Sequence, residues 1–186
     1  KNKILGLRGK ATGLIFPNFD RKKHVISVPW LKTEQKLGRL KFRRFSAGLD
    51  TSYSSQSPDT IAMLFLGITT DRRLIVLDEK VYSNAELDQP LAPSDTVTKF
   101  LEFLERSQKE GGLARDVFID SADQATITEL RKYKRLHGSI HNFLDAYKAL
   151  QIMDRIKLQL GWIQQGCYLV ADTCTEHMAE LERYSW

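Results

Sequence analysis

Three segments in the first half of the chain have the residue pattern of β-strands. Residues 40–50 read LKFRRFSAGLD, residues 60–69 are an almost wholly apolar run that suits a buried strand, and residues 73–82 contain the apolar group IVL. Asp71 and Arg72 form a tight turn between the second and third segments. Strands with short connections pair with their neighbours, so we predict an antiparallel meander over residues 40–82.

The second half alternates helical and strand patterns. A helix begins at Ser94 or Asp95, where apolar residues start to recur at helical spacing, and ends at Gly111-Gly112. The apolar segment VFID, residues 117–120, follows as a strand, and the helix before it lets it pair in parallel with an earlier strand. The remaining predicted elements are a helix over 122–135, a helix over 140–165, a strand over 167–171 and a helix over 173–184.

The helix predicted over residues 140–165 is the longest. Its apolar side chains form one stripe at helical spacing: Phe143, Ala146, Tyr147, Leu150, Met153, Ile156, Leu160 and Ile163. The complete order is β-β-β-α-β-α-α-β-α. This order predicts an α/β fold, in which a mixed sheet of three antiparallel strands plus parallel strands is flanked by helices.

Residues 1–39 lack a helical period. They contain extended pieces over 12–16 and 24–29 and a turn at Pro17-Asn18. We interpret residues 1–39 as a basic linker with a lead-in strand, and residues 40–186 as the folded domain. The chain opens with Lys1 and has no charged-then-apolar leader, so we expect it to be a piece of a longer polypeptide.

Charge is distributed unevenly along the 186 residues, whose net charge is +5. Residues 1–44 carry thirteen Lys and Arg against two acidic residues, a net charge of +11, and the remaining residues carry −6. Clustered cations on an otherwise acidic protein suit a nucleic-acid or membrane-surface partner, and they equally suit a solvated terminal segment. No apolar run approaches the roughly 20 residues that span a bilayer, which excludes an integral membrane protein.

The two cysteines, Cys167 and Cys174, are too few for a disulfide framework, and no ligand spacing around them indicates zinc. We expect both to be reduced thiols.

Two acidic residues follow the apolar ends of predicted strands. Asp50 ends FSAGLD and Asp120 ends VFID. If these strands are neighbours, both carboxylates lie at one edge of the sheet, where a divalent cation such as Mg²⁺ or Mn²⁺ relieves their repulsion. The alternative is structural: Asp50 forms an Asx turn, and Asp120 or Ser121 caps the next helix.

Several segments resemble the nuclease domain of the large terminase subunit of tailed bacteriophages, an RNase H-like DNA-packaging endonuclease. The similar stretches are GLIFPNFDRKKHVIS, GLDTSYS with PDTIA, RRLIVLDEKVYSN, VFIDSADQATITEL, FLDAYKALQIMDRI, GWIQQGCYLVADTC and HMAELERYSW. Their order and spacing cover nearly the whole chain.

The resemblance implies a set of metal ligands. Asp50 matches the acidic residue that ends the family's first strand, and Asp120 matches the first position of its D-S-A-[DE] segment; both bind catalytic metals there. Asp123 matches the last position of that segment and is a weaker candidate with a supporting role. Asp59 matches a position that either holds the loop or touches metal.

The chain departs from the family pattern in two places. The family supplies a further Asp, often with a His, from a helix beyond the equivalent of Trp186. His177 and Glu180 have a spacing that could mimic it, but we expect them on the exposed face of the last helix. Between Lys134 and Ser139 the family has another strand and a longer basic loop, which this sequence does not show.

The resemblance implies an endonuclease that cuts concatemeric double-stranded viral DNA with two Mg²⁺ or Mn²⁺ ions, in the cytoplasm of the infected bacterium. The implied partners are an N-terminal ATPase, a small terminase subunit and a portal. The chain contains no G-x-x-x-x-G-K-[ST] motif, so we place ATP hydrolysis outside it. Two alternatives stay open: a resolvase or transposase core, and a non-catalytic DNA-binding or portal-docking module.

A basic group near residue 130 is the candidate for contacts with DNA phosphates; its members are Arg131, Lys132, Lys134 and Arg135. The alternative is a solvated helix end, where cations are favoured by the helix dipole.

Overall fold

The computed structural model describes residues 13–51, 60–83, 87, 91–147 and 149–185. Seven strands form one sheet in the order β1-β7-β4-β3-β2-β5-β6. Their bounds are β1 Val25–Ile26, β2 Phe42–Asp50, β3 Thr60–Thr69, β4 Leu74–Ser83, β5 Ala114–Ile119, β6 Asn142–Asp145 and β7 Tyr168–Ala171. The helices are α1 Arg21–His24, α2 Val28–Lys36, α3 Pro93–Gly111, α4 Gln124–His137, α5 Ile152–Gln164 and α6 Thr175–Arg183.

The predicted meander is confirmed, because β3 pairs antiparallel with both β2 and β4. The other pairs are parallel: β2 with β5, β5 with β6, β4 with β7, and β1 with β7. Every strand except β3 therefore runs in one direction. We call the edge at which β2, β5 and β6 begin the starting edge, and the edge at which they end the ending edge.

Helices cover the sheet on both faces. Apolar residues of α3 and α4, among them Phe100, Leu104 and Ile127, pack on β2, β3 and β5. On the opposite face, Ile163 of α5 and Met178 of α6 pack on β4 and β7. The predicted mixed sheet flanked by helices is confirmed.

The single helix predicted over residues 140–165 is wrong. The segment contains strand β6, then a connection, then helix α5. Phe143 pairs with Val117 of β5 and is 3% exposed, whereas Tyr147, on the same predicted stripe, is 70% exposed. Residues 142–145 pair with β5 at the edge of the sheet, and this pairing satisfies their backbone hydrogen bonds. The pairing outweighs the helical spacing of the apolar residues in this segment.

The departure from the family pattern between Lys134 and Ser139 remains. Residues up to His137 continue helix α4, and the next strand, β6, begins at Asn142, beyond Ser139.

Residues 28–36 form a helix that the sequence pattern did not predict. The Ser27 hydroxyl accepts a hydrogen bond from the Trp30 N–H at 3.3 Å, and Pro29 occupies the first turn, where its missing N–H has no cost. The extended pattern is confirmed for β1, which pairs with β7, and at Leu14, which forms an isolated antiparallel bridge with Ser185. The division into a linker and a domain at residue 39 stays a prediction.

Two helix starts lie close to their predicted positions. Helix α3 begins at Pro93, with Ala92 as its N-cap instead of Ser94 or Asp95. Helix α4 begins two residues later than predicted, with Asp123 as its N-cap.

Both cysteines are free, and Cys174 is buried. Burial, with a smaller contribution from nearby carboxylates, raises the pKa of the Cys174 thiol to about 12, so the thiol stays protonated at neutral pH. None of the helices in the described ranges has the length and apolar character needed to cross a membrane.

Candidate active site

Asp50 and Asp120 lie next to each other at the ending edge. Asp50 is the last residue of β2, and Asp120 directly follows β5. The parallel register pairs Leu49 with Ile119, and the Asp120 N–H donates to the Leu49 carbonyl at 2.9 Å, which extends the ladder by one step. Adjacent strands are about 4.8 Å apart, so the two aspartates occupy neighbouring positions.

Their side chains belong to the same face of the sheet. Leu49 and Ile119 are both buried against α3 and α4. Side chains alternate along a strand, so Asp50 and Asp120, one position further on, belong to the opposite face. The juxtaposition expected from the strand ends is present, while their role as metal ligands stays a prediction.

The segment after β5 forms a turn around Asp120. One carboxylate oxygen of Asp120 accepts the Ala122 N–H at 3.0 Å, and the Asp120 carbonyl accepts the Asp123 N–H at 3.0 Å. This is the Asx-turn geometry that the structural alternative assigned to Asp50. The turn fixes the orientation of the Asp120 carboxylate at the ending edge.

Asp123 has a well-defined structural contact for each carboxylate oxygen. Oδ1 accepts the Thr126 N–H at 3.0 Å as the N-cap of α4, and Oδ2 accepts the Thr51 hydroxyl at 2.7 Å. The residue is only 9% exposed. These contacts tie α4 to the residue after Asp50, which favours a positioning role for Asp123 over direct contact with a metal.

Helix α6 is held by a carboxylate from the sheet. The Glu79 side chain of β4 accepts the N–H groups of Glu176 and His177 at 2.8 and 2.9 Å. The N-cap residue, Cys174, makes no side-chain cap, so Glu79 supplies the acceptors that the helix N-terminus lacks. Burial raises the pKa of the Glu79 carboxyl, opposed by these two hydrogen bonds.

His177 is half-buried, so its expected place on an exposed helix face is wrong. Its Nε2 lies 2.7 Å from the hydroxyl of buried Tyr168. Desolvation lowers the pKa of His177 to about 4, which keeps the ring neutral at neutral pH. The partner that buries it comes from β7, a tertiary contact that the spacing of residues 177 and 180 could not show.

Glu180 is exposed, as expected, but it lies within electrostatic reach of Asp50. Its pKa is raised first by desolvation and then by the negative charges of Glu79, Glu176 and Asp50. Helix α6 thus adds a carboxylate to the acidic group at Asp50. The sequence signal for this residue was its spacing from His177.

The chemistry of this acidic group suits a hard divalent cation. Carboxylate oxygens are the ligands that Mg²⁺ and Mn²⁺ prefer, and a cation relieves the repulsion between neighbouring carboxylates. Asp50 and Asp120 are placed to supply two such ligands. In the part of the chain that the structure describes, no group of three His, Cys, Asp or Glu side chains is arranged to hold a metal. Asp59 and Trp186 lie outside the described residues.

Lys134 and Arg135, in the last turn of α4, lie away from these carboxylates, whereas Arg131 reaches Asp145 at the end of β6. Helix α4 begins beside Asp120 and ends where β6 begins, so its last turns lie near the starting edge. Lys134 donates to Asn142 at 2.8 Å, Arg131 lies 3.5 Å from Asp145, and Lys132 lies 3.8 Å from Glu129. Their role in binding DNA stays a prediction.

Comparison with protein-family models and with curated proteins gives no significant match. Solved structures do match. The large terminase of a thermophilic bacteriophage is 18% identical with a TM-score of 0.72, over 98% of this chain and 40% of that one. The P22 large terminase nuclease domain is 10% identical with a TM-score of 0.61, over 95% and 81%.

The large terminase nuclease of another thermophilic phage, G20c, with bound magnesium, is 12% identical with a TM-score of 0.55, over 94% of this chain and 82% of that one. A structure of the same nuclease with bound cobalt also matches. The present chain spans about two fifths of the first of these large terminases. This protein has the RNase H-like fold of the nuclease domains of large terminases, as the resemblance in sequence predicted.

Proposed function

We propose that this protein is a divalent-metal-dependent endonuclease that cuts double-stranded DNA during viral genome packaging. The observation that carries the proposal is the adjacent placement of Asp50 and Asp120 at the ends of β2 and β5, on one face of a terminase nuclease fold. The bound magnesium and cobalt in the G20c nuclease support the choice of a divalent metal.

In the proposed mechanism, Asp50 and Asp120 would hold the two divalent metal ions through their carboxylate oxygens. When bound, the ions supply positive charge that neutralises the scissile phosphate, and they lower the pKa of water. The Asx turn at Ala122 holds the Asp120 carboxylate, and the Thr51–Asp123 hydrogen bond fixes the residue after Asp50. These contacts hold the two carboxylates in place before DNA binds.

The wider setting follows from the same likeness. We propose that the protein acts beside a terminase ATPase, a small terminase subunit and a portal, in the cytoplasm of an infected bacterium. A large terminase is matched over 98% of this chain, which favours a packaging nuclease over a resolvase or transposase core.

Plasmid nicking tests the nuclease. Wild-type protein with Mg²⁺ or Mn²⁺ is expected to convert supercoiled plasmid to nicked and linear forms, and Asp50→Asn or Asp120→Asn to lower the rate at least about 100-fold, a loss of roughly 3 kcal/mol of transition-state stabilisation. Asp145→Asn is the matched control. Asp145 ends β6 at the same edge, but its register partner Ile119 puts it on the opposite face, near Arg131.

Equal cleavage by all four proteins would remove Asp50 and Asp120 from the mechanism.

A second candidate function is a non-catalytic DNA-binding or docking module, which is favoured by the lack of a three-ligand group among the described residues. That candidate predicts DNA binding without cleavage at any concentration of Mn²⁺.

A further inference from the structure

The starting edge of the sheet carries exposed arginines at two backbone irregularities. Arg43 is an extra residue in β2 relative to β3, because Phe42 and Arg44 pair with the consecutive residues Thr69 and Ile68. Arg115 is likewise an extra residue in β5 relative to β2. Both are exposed. β-Bulges redirect side chains and recur at functional sites, so two arginines at bulges on one edge call for an explanation.

A third arginine at this edge has an unfavourable backbone conformation. Arg72, in the β3–β4 turn, has φ = 66°; every other described residue with positive φ is glycine. Arg72 is exposed, and its neighbours Asp71 and Arg73 pair with each other at 2.7 Å. Glycine or asparagine would adopt this conformation with less strain, so the geometry of the turn does not account for the presence of arginine at position 72. The turn contacts the start of β2, where the Thr70 N–H donates to the Lys41 carbonyl at 2.9 Å.

A polar network joins Arg44, the neighbour of Arg43 in β2, to Lys134 of α4. Lys134 donates to Asn142 at 2.8 Å, Asn142 donates to Asp116 at 3.1 Å, and Arg44 lies 3.9 Å from Asp116. The network crosses β6, β5 and β2. It therefore places Arg44 of β2 and Lys134 of α4, which are far apart in sequence, along one edge.

We propose that the starting edge binds phosphates of the same DNA duplex that is cut at the ending edge, through Arg43, Arg72, Arg115, Arg44 and Lys134. The proposal rests on the proposed function. Arg43 and Asp50 are seven residues apart on β2, which spans roughly 23 Å. This distance corresponds to about seven base pairs. Phosphate contacts of this kind position DNA without reading its sequence, and guanidinium groups match phosphate geometry.

The test measures DNA affinity without cleavage. Binding of a fluorescent duplex of about 24 base pairs is followed by anisotropy in EDTA, over a series of KCl concentrations, for wild type, Arg43→Gln, Arg72→Asn and Arg115→Gln. Each variant is expected to bind several-fold more weakly at about 100 mM KCl and to lower the slope of log K against log[KCl] by about one. Asparagine tolerates a left-handed conformation, so Arg72→Asn is expected to keep or raise the melting temperature while it weakens binding.

Lys157→Gln is the matched control, because it also removes one exposed cation, but from α5, where Lys157 lies 3.6 Å from Asp154. The proposal is overturned if the three arginine variants keep the wild-type slope, if Lys157→Gln lowers it equally, or if the wild-type protein does not bind the duplex. Plasmid nicking by the same proteins separates the two proposals. If Asp50→Asn still cleaves plasmid, only the proposed nuclease site is refuted. If the arginine variants keep the wild-type slope of log K against log[KCl], only the proposed starting-edge contacts are refuted.

Discussion

Asp123 shows how a single acidic side chain can connect two elements beside Asp50 and Asp120. It is nearly buried, and its two carboxylate oxygens accept from the backbone of α4 and from the hydroxyl of Thr51. Thr51 follows Asp50 directly, so one carboxylate couples the start of α4 to the end of β2. The last acidic residue of the D-S-A-[DE] segment thus caps α4 and connects it to the end of β2.

We predict that Asp123→Ala lowers the free energy of unfolding by about 2–3 kcal/mol, through loss of an N-cap and of the hydrogen bond from Thr51. Asp123→Asn retains an acceptor for the Thr126 N–H and is expected to cost less than half as much. Urea denaturation measures both, with Glu129→Ala on the exposed face of α4 as a control within about 0.5 kcal/mol. If Asp123→Asn and Asp123→Ala lowered the free energy of unfolding equally, helix capping would not be the source of the lost stability.

At the scale of secondary structure elements, contacts with distant parts of the chain determine the conformation of residues 142–145 and the start of helix α6. Residues 142–145 have helical apolar spacing, yet they form an edge strand because β5 offers a backbone partner and α4 covers Phe143. Helix α6 has no side-chain cap of its own and begins where Glu79 of β4 accepts its N–H groups. Glu79 thereby helps to position the helix that carries Glu180, whose pKa is raised in part by the charge of Asp50.

Phe143 and Tyr147 distinguish the strand from the predicted helix. Phe143→Ala is expected to lower the free energy of unfolding by about 3–5 kcal/mol, because the side chain is 3% exposed and its loss leaves a cavity. Tyr147→Ala, at a 70% exposed position, is expected to change it by less than about 0.5 kcal/mol. Urea denaturation provides the measurement, and similar losses at both positions would instead favour one continuous amphipathic helix.

At the scale of the whole molecule, the parallel strands separate charge between two edges. Acidic residues gather at the ending edge around Asp50 and Asp120, while exposed arginines and Lys134 gather at the starting edge. Net charge along the chain showed this separation only in part, because Lys134 of α4 follows acidic residues in sequence but lies beside the start of β6 in space.

We predict that Mn²⁺ stabilises the folded protein by binding at the ending edge. At about 100 times its dissociation constant, it is expected to raise the free energy of unfolding by about 2.7 kcal/mol. Asp50→Asn and Asp120→Asn are expected to lose this increase, yet to be at least as stable as wild type without metal, because each removes one of two repelling charges. Thermal unfolding with and without Mn²⁺ measures both effects, and Asp145→Asn serves as the control. An equal increase in all four proteins would place the ion elsewhere.

Local patterns in the sequence were sufficient for the meander, for β5 and β7, and for the positions of Asp50 and Asp120 at strand ends. Alternating apolar and polar residues, apolar runs and turn residues are local signals that extend over a few positions. They define where each strand ends, and therefore that Asp50 and Asp120 lie at strand ends. The same local signals were too weak for α2, whose start depends on the Ser27 cap and the place of Pro29 in the first turn.

What only the tertiary structure decided depends on contacts between residues far apart in the chain. These are the pairing of β6 with β5, the burial of His177 against Tyr168, the cap that Glu79 provides for α6, and the network from Lys134 to Arg44. Sequence determined which side chains stand at the ends of strands and helices. Packing determined which of those ends meet, because hydrogen bonds and burial between distant segments form only once the sheet is assembled.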